Sequence, residues 1–176
     1  MPVVREAVAA DAHACAAIYA PYVRDTAISF ETEPPTAREM AARMAAAHAW
    51  LVSEEDGQVL GYAYGGPFKA RAAYRWSCEV SVYVDRVKRR SGVGRALYAA
   101  LFDALSAKGY RTAVAGMTLP NEASAALHEA LGFTPVGTYT RIGWKHGAWH
   151  DVHWMQRPLG PPDTDDSPPP EPGVTP

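Results

Sequence analysis

Apolar and polar residues alternate strictly from Trp76 to Val84. Trp76, Cys78, Val80, Val82 and Val84 share one face of an extended chain, and Ser77, Glu79, Ser81 and Tyr83 share the other; this period of two predicts a strand. The period then changes. Val93, Leu97, Leu101 and Leu105 recur every four residues, which predicts a helix over 92–108 with Gly109 as its stop. Upstream, residues 3–8 alternate as a first strand, and Asp11 reads as the N-cap of a helix carrying Cys15, Ile18, Tyr19 and Tyr22. Pro34-Pro35 breaks the chain before an alanine-rich helix, where Thr36 and Glu39 have capping-box spacing. Residues 50–54 and 59–64, joined by Glu55-Asp56-Gly57-Gln58, predict a β-hairpin. Downstream come a strand over 112–119, a short helix capped by Asn121 and ended by Gly132, and two last strands over 133–142 and 151–156 around a turn at Lys145-His146-Gly147. The order β, α, α, β, β, β, α, β, α, β, β predicts a mixed α/β single domain with at least one right-handed βαβ crossover.

Composition narrows the picture. The 176 residues are enough for one domain with a sizeable core, and the net charge of -2 gives no global pull toward nucleic acid or an anionic membrane. No aromatic-basic stripe supports a nucleic-acid role, and the apolar runs are too short to span a bilayer. There are two cysteines, Cys15 and Cys78, without a C-x-x-C pair, so a reduced cytoplasmic setting is expected. His146, His150 and His153 fall on a turn and strand with no acidic or thiolate pattern beyond Asp151, and no metal is predicted. Residues 158–176 hold eight of the fifteen prolines and no aromatic side chain. Such a segment cannot bury enough apolar surface to offset its ordering entropy, so the domain is expected over 1–157 with a flexible tail over 158–176.

The chemistry concentrates where the period changes. R-R-S-G-V-G-R-A-L, residues 89–97, lies between the alternating strand and the long helix. Glycines let backbone approach a ligand closely, and free N–H groups converge at a helix N-terminus whose dipole favours negative charge. Arg89, Arg90 and Arg95 would add charge-assisted bonds to a polyphosphate. The run is neither a Walker A loop nor a dinucleotide fingerprint. On its own residues it reads equally as a phosphate cradle or as a basic turn.

With its neighbours the run resembles the acetyl-CoA pyrophosphate loop, R/Q-x-x-G-x-G/A, of the GNAT N-acetyltransferases. N-E-A-S-A-A-L-H-E-A-L-G-F, residues 121–133, resembles that family's pantetheine-flanking helix. F-E-T-E-P, G-P-F-K-A-R-x-A-Y-x-W, E-x-S-V-Y-V, L-P-N-E-A-S and K-H-G-x-W-H-D-V, in order from Phe30 to Val152, narrow the resemblance to the phosphinothricin and methionine sulfoximine acetyltransferases. It implies a GNAT-like fold with a central mixed sheet of about seven strands and about four helices. It further implies transfer of acetyl from acetyl-CoA to the α-amino group of a small amino-acid analogue, by direct attack in a ternary complex. Glu79 is then the general base and His128 assists. Acetyl-CoA is expected along Val82, Tyr83 and Val84, with Arg89, Arg90, Ser91, Gly92, Val93, Gly94 and Arg95 on its pyrophosphate and Asn121 near its pantetheine. Lys69, Arg71 and Tyr74 resemble the family's substrate loop, with Arg71 as a carboxylate clamp. Phe30, Glu79, Ser81, Tyr83, Gly116 and Thr118 are expected to line the same pocket. The K-H-G-A-W-H-D-V turn is expected to close that pocket or to join a homodimer interface. Two other readings stay open: an acetyltransferase for another small amine or a protein amine, and a non-catalytic acyl-CoA-binding module.

Overall fold

A computed structural model of the chain describes residues 1–88, 92–162 and 169–173, and contains seven strands and four helices among them. In order these are β1 (Val3–Glu6), α1 (Ala12–Asp25), α2 (Ala37–Ala46), β2 (Ala49–Glu55), β3 (Gln58–Pro67), β4 (Ser77–Val84), α3 (Val93–Ala107), β5 (Thr112–Thr118), α4 (Glu122–Ala130), β6 (Thr134–Lys145) and β7 (Ala148–Pro158). All seven strands form one sheet in the order β1-β2-β3-β4-β5-β7-β6, in which only β4 and β5 run parallel. The helix between them makes the expected βαβ unit.

Local chemistry accounts for most of the boundaries. Thr36 Oγ1 accepts from Glu39 N–H, and the Glu39 carboxylate accepts from Thr36 N–H at 2.7 Å, so both orphan donors of the α2 start are satisfied. Asn121 Oδ1 accepts from Ser124 N–H at 3.2 Å and starts α4. The β2–β3 turn uses left-handed Asp56 and Gly57, as a tight hairpin requires. Asp11 departs from expectation. Its side chain makes no cap bond to α1; it turns back to accept from Arg5 at 2.8 and 2.9 Å and from Val8 N–H.

The two faces of β4 feed two cores, as its alternation requires. Cys78 and Val80 sit under α3 with Leu97, Leu101 and Leu105. Tyr83 packs on the other face against the α1 and α2 layer, in edge contact with Tyr19 and Tyr22. Close approach of α3 depends on β3 lacking side chains at two positions. A Cβ at Gly65 would lie 2.8 Å from Leu105 Cδ1, and one at Gly61 would lie 3.3 Å from Leu97 Cδ1.

The domain runs past the boundary expected from composition. Pro158 pairs with Thr112 at the end of β7, and Leu159 is buried in the α3 core. The proline-rich composition hid one apolar anchor: Leu159 N–H donates to the Arg111 carbonyl at 2.7 Å, which extends the strand contact. Residues 169–173 also touch the domain, through Pro170 on Trp76 and Glu171 on Arg75.

Candidate active site

The parallel ladder between β4 and β5 is short. It pairs residues 77–79 with 112–114 and stops there, although β4 continues to Val84 and β5 to Thr118. Past Glu79 the two strands are no longer paired, while the other edge of β4 stays bonded to β3 through Val84. A sheet opened this way offers main-chain groups on a central strand to a ligand, as an added strand would use them. The opening leads into a cleft of about 670 Å3 whose walls include Val82–Val84 of β4, Gly92–Arg95 at the start of α3, and Asn121, Ser124 and Leu127 of α4.

The start of α3 carries the features of an anion cradle. Gly92 is left-handed at φ 82 and precedes the first helical turn, so a side chain there would be strained. Gly94 is different. A Cβ on it would meet Val84, Leu127 and Val82 only at 3.6–3.9 Å, so packing within the chain does not require glycine there. Its bare backbone instead widens the cleft floor. Arg89, Arg90 and Ser91 lie outside the described residues. Arg95 lines the cleft with Val93 and Gly94.

Glu79 faces a second cavity of about 370 Å3, shared with Ser81, Arg43, Trp50, Tyr64 and Gly66. Half-burial pushes its carboxyl above the usual carboxylate range, and the Lys69 ammonium partly offsets this. A carboxylate raised in this way is a better proton acceptor near neutrality than an exposed one. Sequence reasoning missed Arg43, Trp50 and Tyr64. Trp50 opposes Tyr64, and Tyr64 opposes Ser81 across β3–β4; that register, which the sequence does not print, brings the aromatic rings beside Glu79. Cys78, the neighbour of Glu79, is fully buried on the opposite face, and burial pushes its thiol up to about 12. It is no nucleophile.

His128 occupies a core position. It is 4% exposed and stands edge-on to Tyr98 at 5.3 Å and Phe133 at 4.9 Å. Its Nδ1–H donates to the Ser124 carbonyl at 2.7 Å, which leaves Nε2 to accept from the Tyr98 hydroxyl at 3.2 Å. Burial holds the ring pKa below its usual value, so it is neutral at pH 7. The L-G-F sequence serves this packing. Left-handed Gly132 ends α4, Phe133 N–H donates to the His128 carbonyl, and the Phe133 ring then meets the imidazole edge to face. His128 does not line the cleft; its helix neighbours Ser124 and Leu127 do.

The expected substrate residues fall into two groups. Ser81 lines the Glu79 cavity, Tyr83 lines the larger cleft, and Lys69 acts on Glu79 through its charge. Phe30, Arg71, Tyr74, Gly116 and Thr118 line neither of these cavities. Phe30 instead lies over Gly143 of β6, where an added Cβ would run into its ring. Tyr74 stands edge-on to Phe68, and Thr118 is buried at the end of β5. Gly116 makes room for the Trp154 ring, whose nearest atom would be 3.0 Å from an added Cβ. The K-H-G turn is anchored inward: the buried Lys145 ammonium donates to the carbonyls of Val23 and Ser29 at 2.6 Å each.

A seven-stranded sheet opened beside one parallel pair, with a glycine-started helix at the opening, defines the class. The model of the GNAT acetyltransferase domain matches residues 4–154, and the chain belongs to that family as an N-acetyltransferase. Among its relatives is the phosphinothricin N-acetyltransferase of Streptomyces viridochromogenes, 44% identical over 157 residues that cover 88% of this chain and 86% of that protein. The L-methionine sulfoximine/L-methionine sulfone acetyltransferase of Salmonella typhimurium is 39% identical over 67% of this chain and 69% of its own length. The crystal structure of the Sinorhizobium meliloti phosphinothricin acetyltransferase in complex with acetyl-CoA superposes with a TM-score of 0.86, at 38% identity over 90% of this chain and 89% of that one.

Proposed function

We propose that this chain uses acetyl-CoA to acetylate the α-amino group of a small amino-acid analogue of the phosphinothricin, methionine sulfoximine or methionine sulfone type. The observation that carries the reading is the parting of β4 and β5 immediately past Glu79. It sets a raised-pKa carboxylate three residues before the stretch of β4 that lines a cleft suited to a long, anionic thioester cofactor. The names of the relatives support the substrate class.

In this reading the pantetheine amides pair with the edge of β4 at 82–84 that faces away from β3, where the Val84 carbonyl also accepts from the Tyr22 hydroxyl at 2.6 Å; the pyrophosphate meets the N–H groups of 92–95, and Asn121 flanks the pantetheine. The substrate amine enters as ammonium, and Glu79 removes its proton directly or through one water. The amine nitrogen then bonds to the thioester carbonyl carbon, and the carbon–sulfur bond breaks to release CoA thiolate, which takes up the second proton lost by the new amide nitrogen while the proton on Glu79 passes to solvent. Direct attack is favoured because Cys78, buried and protonated, cannot hold an acetyl group. His128 acts as a positioning residue that fixes α4 against Tyr98 and so fixes the cleft wall. Lys69, Arg71 and Tyr74 form a loop that receives the amino acid's carboxylate and head group.

The same reading makes the chain a cytoplasmic homodimer. Edge strand β6 and its partner β7 expose Val136, Tyr139, Ile142, Trp144 and Trp149, of which the two tryptophans touch edge to face at 5.4 Å; exposed apolar and aromatic side chains of this kind suit an interface. Thiol-release kinetics test the activity: acetyl-CoA is offered with phosphinothricin, methionine sulfoximine, methionine sulfone and ordinary amino acids. Saturable release with one or more of the three analogues is expected; release with none of them would sink the substrate class.

A further inference from the structure

The proline-rich C-terminal segment is fastened to the loop that carries Lys69, Arg71 and Tyr74. Trp76 Nε1–H donates to the Pro170 carbonyl at 2.9 Å. Arg75 grips Glu171 with two nitrogens, Nε at 2.9 and 3.1 Å and Nη2 at 2.9 Å. Gly173 N–H donates to the Lys108 carbonyl at 2.8 Å, and Pro172 lies against Gly109 at the end of α3. Four contacts of different kinds thus hold five residues in register, where an exposed ion pair alone would contribute little. Prolines at 169, 170 and 172 reduce the entropy lost when the segment docks.

Arg75 is the hinge between this strap and the site. Its guanidinium lies 3.8 Å from the Trp76 ring centre, and its Nη1 donates at 2.9 Å to the Ala72 carbonyl. Ala72 begins a one-turn 3-10 helix, Ala72–Tyr74, which follows Arg71 directly. At its other end the loop rests through Phe68 on Tyr74 and Trp154. Glu171 therefore completes the fixation of a loop whose own residues are largely exposed.

We infer that residues 169–173 are a cis-acting strap in which Glu171, through Arg75, is a positioning residue for the substrate loop. The inference rests on the reading that this loop receives the amino-acid substrate. Its consequences separate from those of that reading because the strap leaves the acetyl-CoA cleft untouched. Two variants of the full enzyme test it: Glu171→Gln, and a chain ended after Pro162. The first measurement is steady-state kinetics with the best analogue. The KM for the amino acid should rise about threefold or more in both variants, with kcat and the acetyl-CoA KM within about twofold of the parent. The rising limb of kcat/KM against pH should move upward, because a loosened Lys69 steadies the Glu79 carboxylate less. The second measurement needs no activity: trypsin cleavage after Lys69, Arg71 and Arg75, mapped by mass spectrometry, should become about tenfold faster. Unchanged cleavage overturns the strap, and unchanged amino-acid KM with faster cleavage overturns its role in substrate positioning. Should no analogue be acetylated by the parent, the substrate reading fails, and the cleavage rates alone decide whether the strap holds the loop.

Discussion

Replacing His128 with alanine separates a residue that supports the cleft from one that handles protons. The imidazole fills a site between Tyr98 and Phe133 at 4% exposure. Truncation there leaves a cavity worth about 3 kcal/mol. It also strands the buried Tyr98 hydroxyl, which loses its Nε2 acceptor at roughly another 1 kcal/mol. For a chain of this length such a loss lowers Tm by on the order of 10 °C. Tyr98→Phe removes only the hydroxyl and should cost about 1 kcal/mol; the double variant should lose less than the sum, because one hydrogen bond is counted in both. Circular dichroism melts give Tm, and initial rates measured well below the variant's Tm give kcat and both KM values. A wall that has loosened raises the acetyl-CoA KM and leaves kcat within about tenfold. The melts also carry a pH signature. The native ring holds its proton less readily than the unfolded chain does at its usual 6.5, so between the two pKa values the unfolded state binds more protons and stability rises with pH. The parent therefore loses stability as pH falls below about 6.5, and His128→Ala lacks that component. A Tm that stays unchanged beside a turnover loss beyond about a hundredfold would refute this reasoning and put His128 among the reacting groups.

Two further outcomes are open to measurement. The rising limb of kcat/KM should report Glu79 at an apparent pKa above the usual carboxylate range, and Lys69→Met should move it to still higher pH by removing the charge that offsets burial; an unmoved or acid-shifted limb would break the link between Lys69 and the base. In sedimentation velocity the chain should run at about twice its 19.0 kDa mass, and Trp144→Glu with Val136→Glu should return it to monomer, whereas a parent that already sediments as a monomer excludes the β6–β7 interface.

Short-range pattern along the chain was enough to read the elements and the candidate chemistry. The alternation over 76–84, the four-residue spacing of Val93 to Leu105, the Thr36–Glu39 box and the stops at Gly109 and Gly132 are short-range signals. Each depends on contacts within one or two turns of chain, and each reappears in the fold. The face that Glu79 shares with Ser81 and Tyr83 was legible for the same reason: the period of a strand is fixed by its backbone. The family was legible because several short motifs occur in one order, which no single turn could establish.

How far β4 and β5 stay paired, and so where the sheet opens, depends on long-range packing that no local pattern carries. Only strand register put Trp50 and Tyr64 beside Glu79. Helical spacing put His128 on α4 but could not distinguish a ring facing a ligand from one closed between Tyr98 and Phe133. The tail shows the same limit most clearly. Composition measures how little apolar surface a segment can bury, and it missed Leu159 in the core and Glu171 on Arg75, because a few specific long-range contacts can hold a segment that has no core of its own.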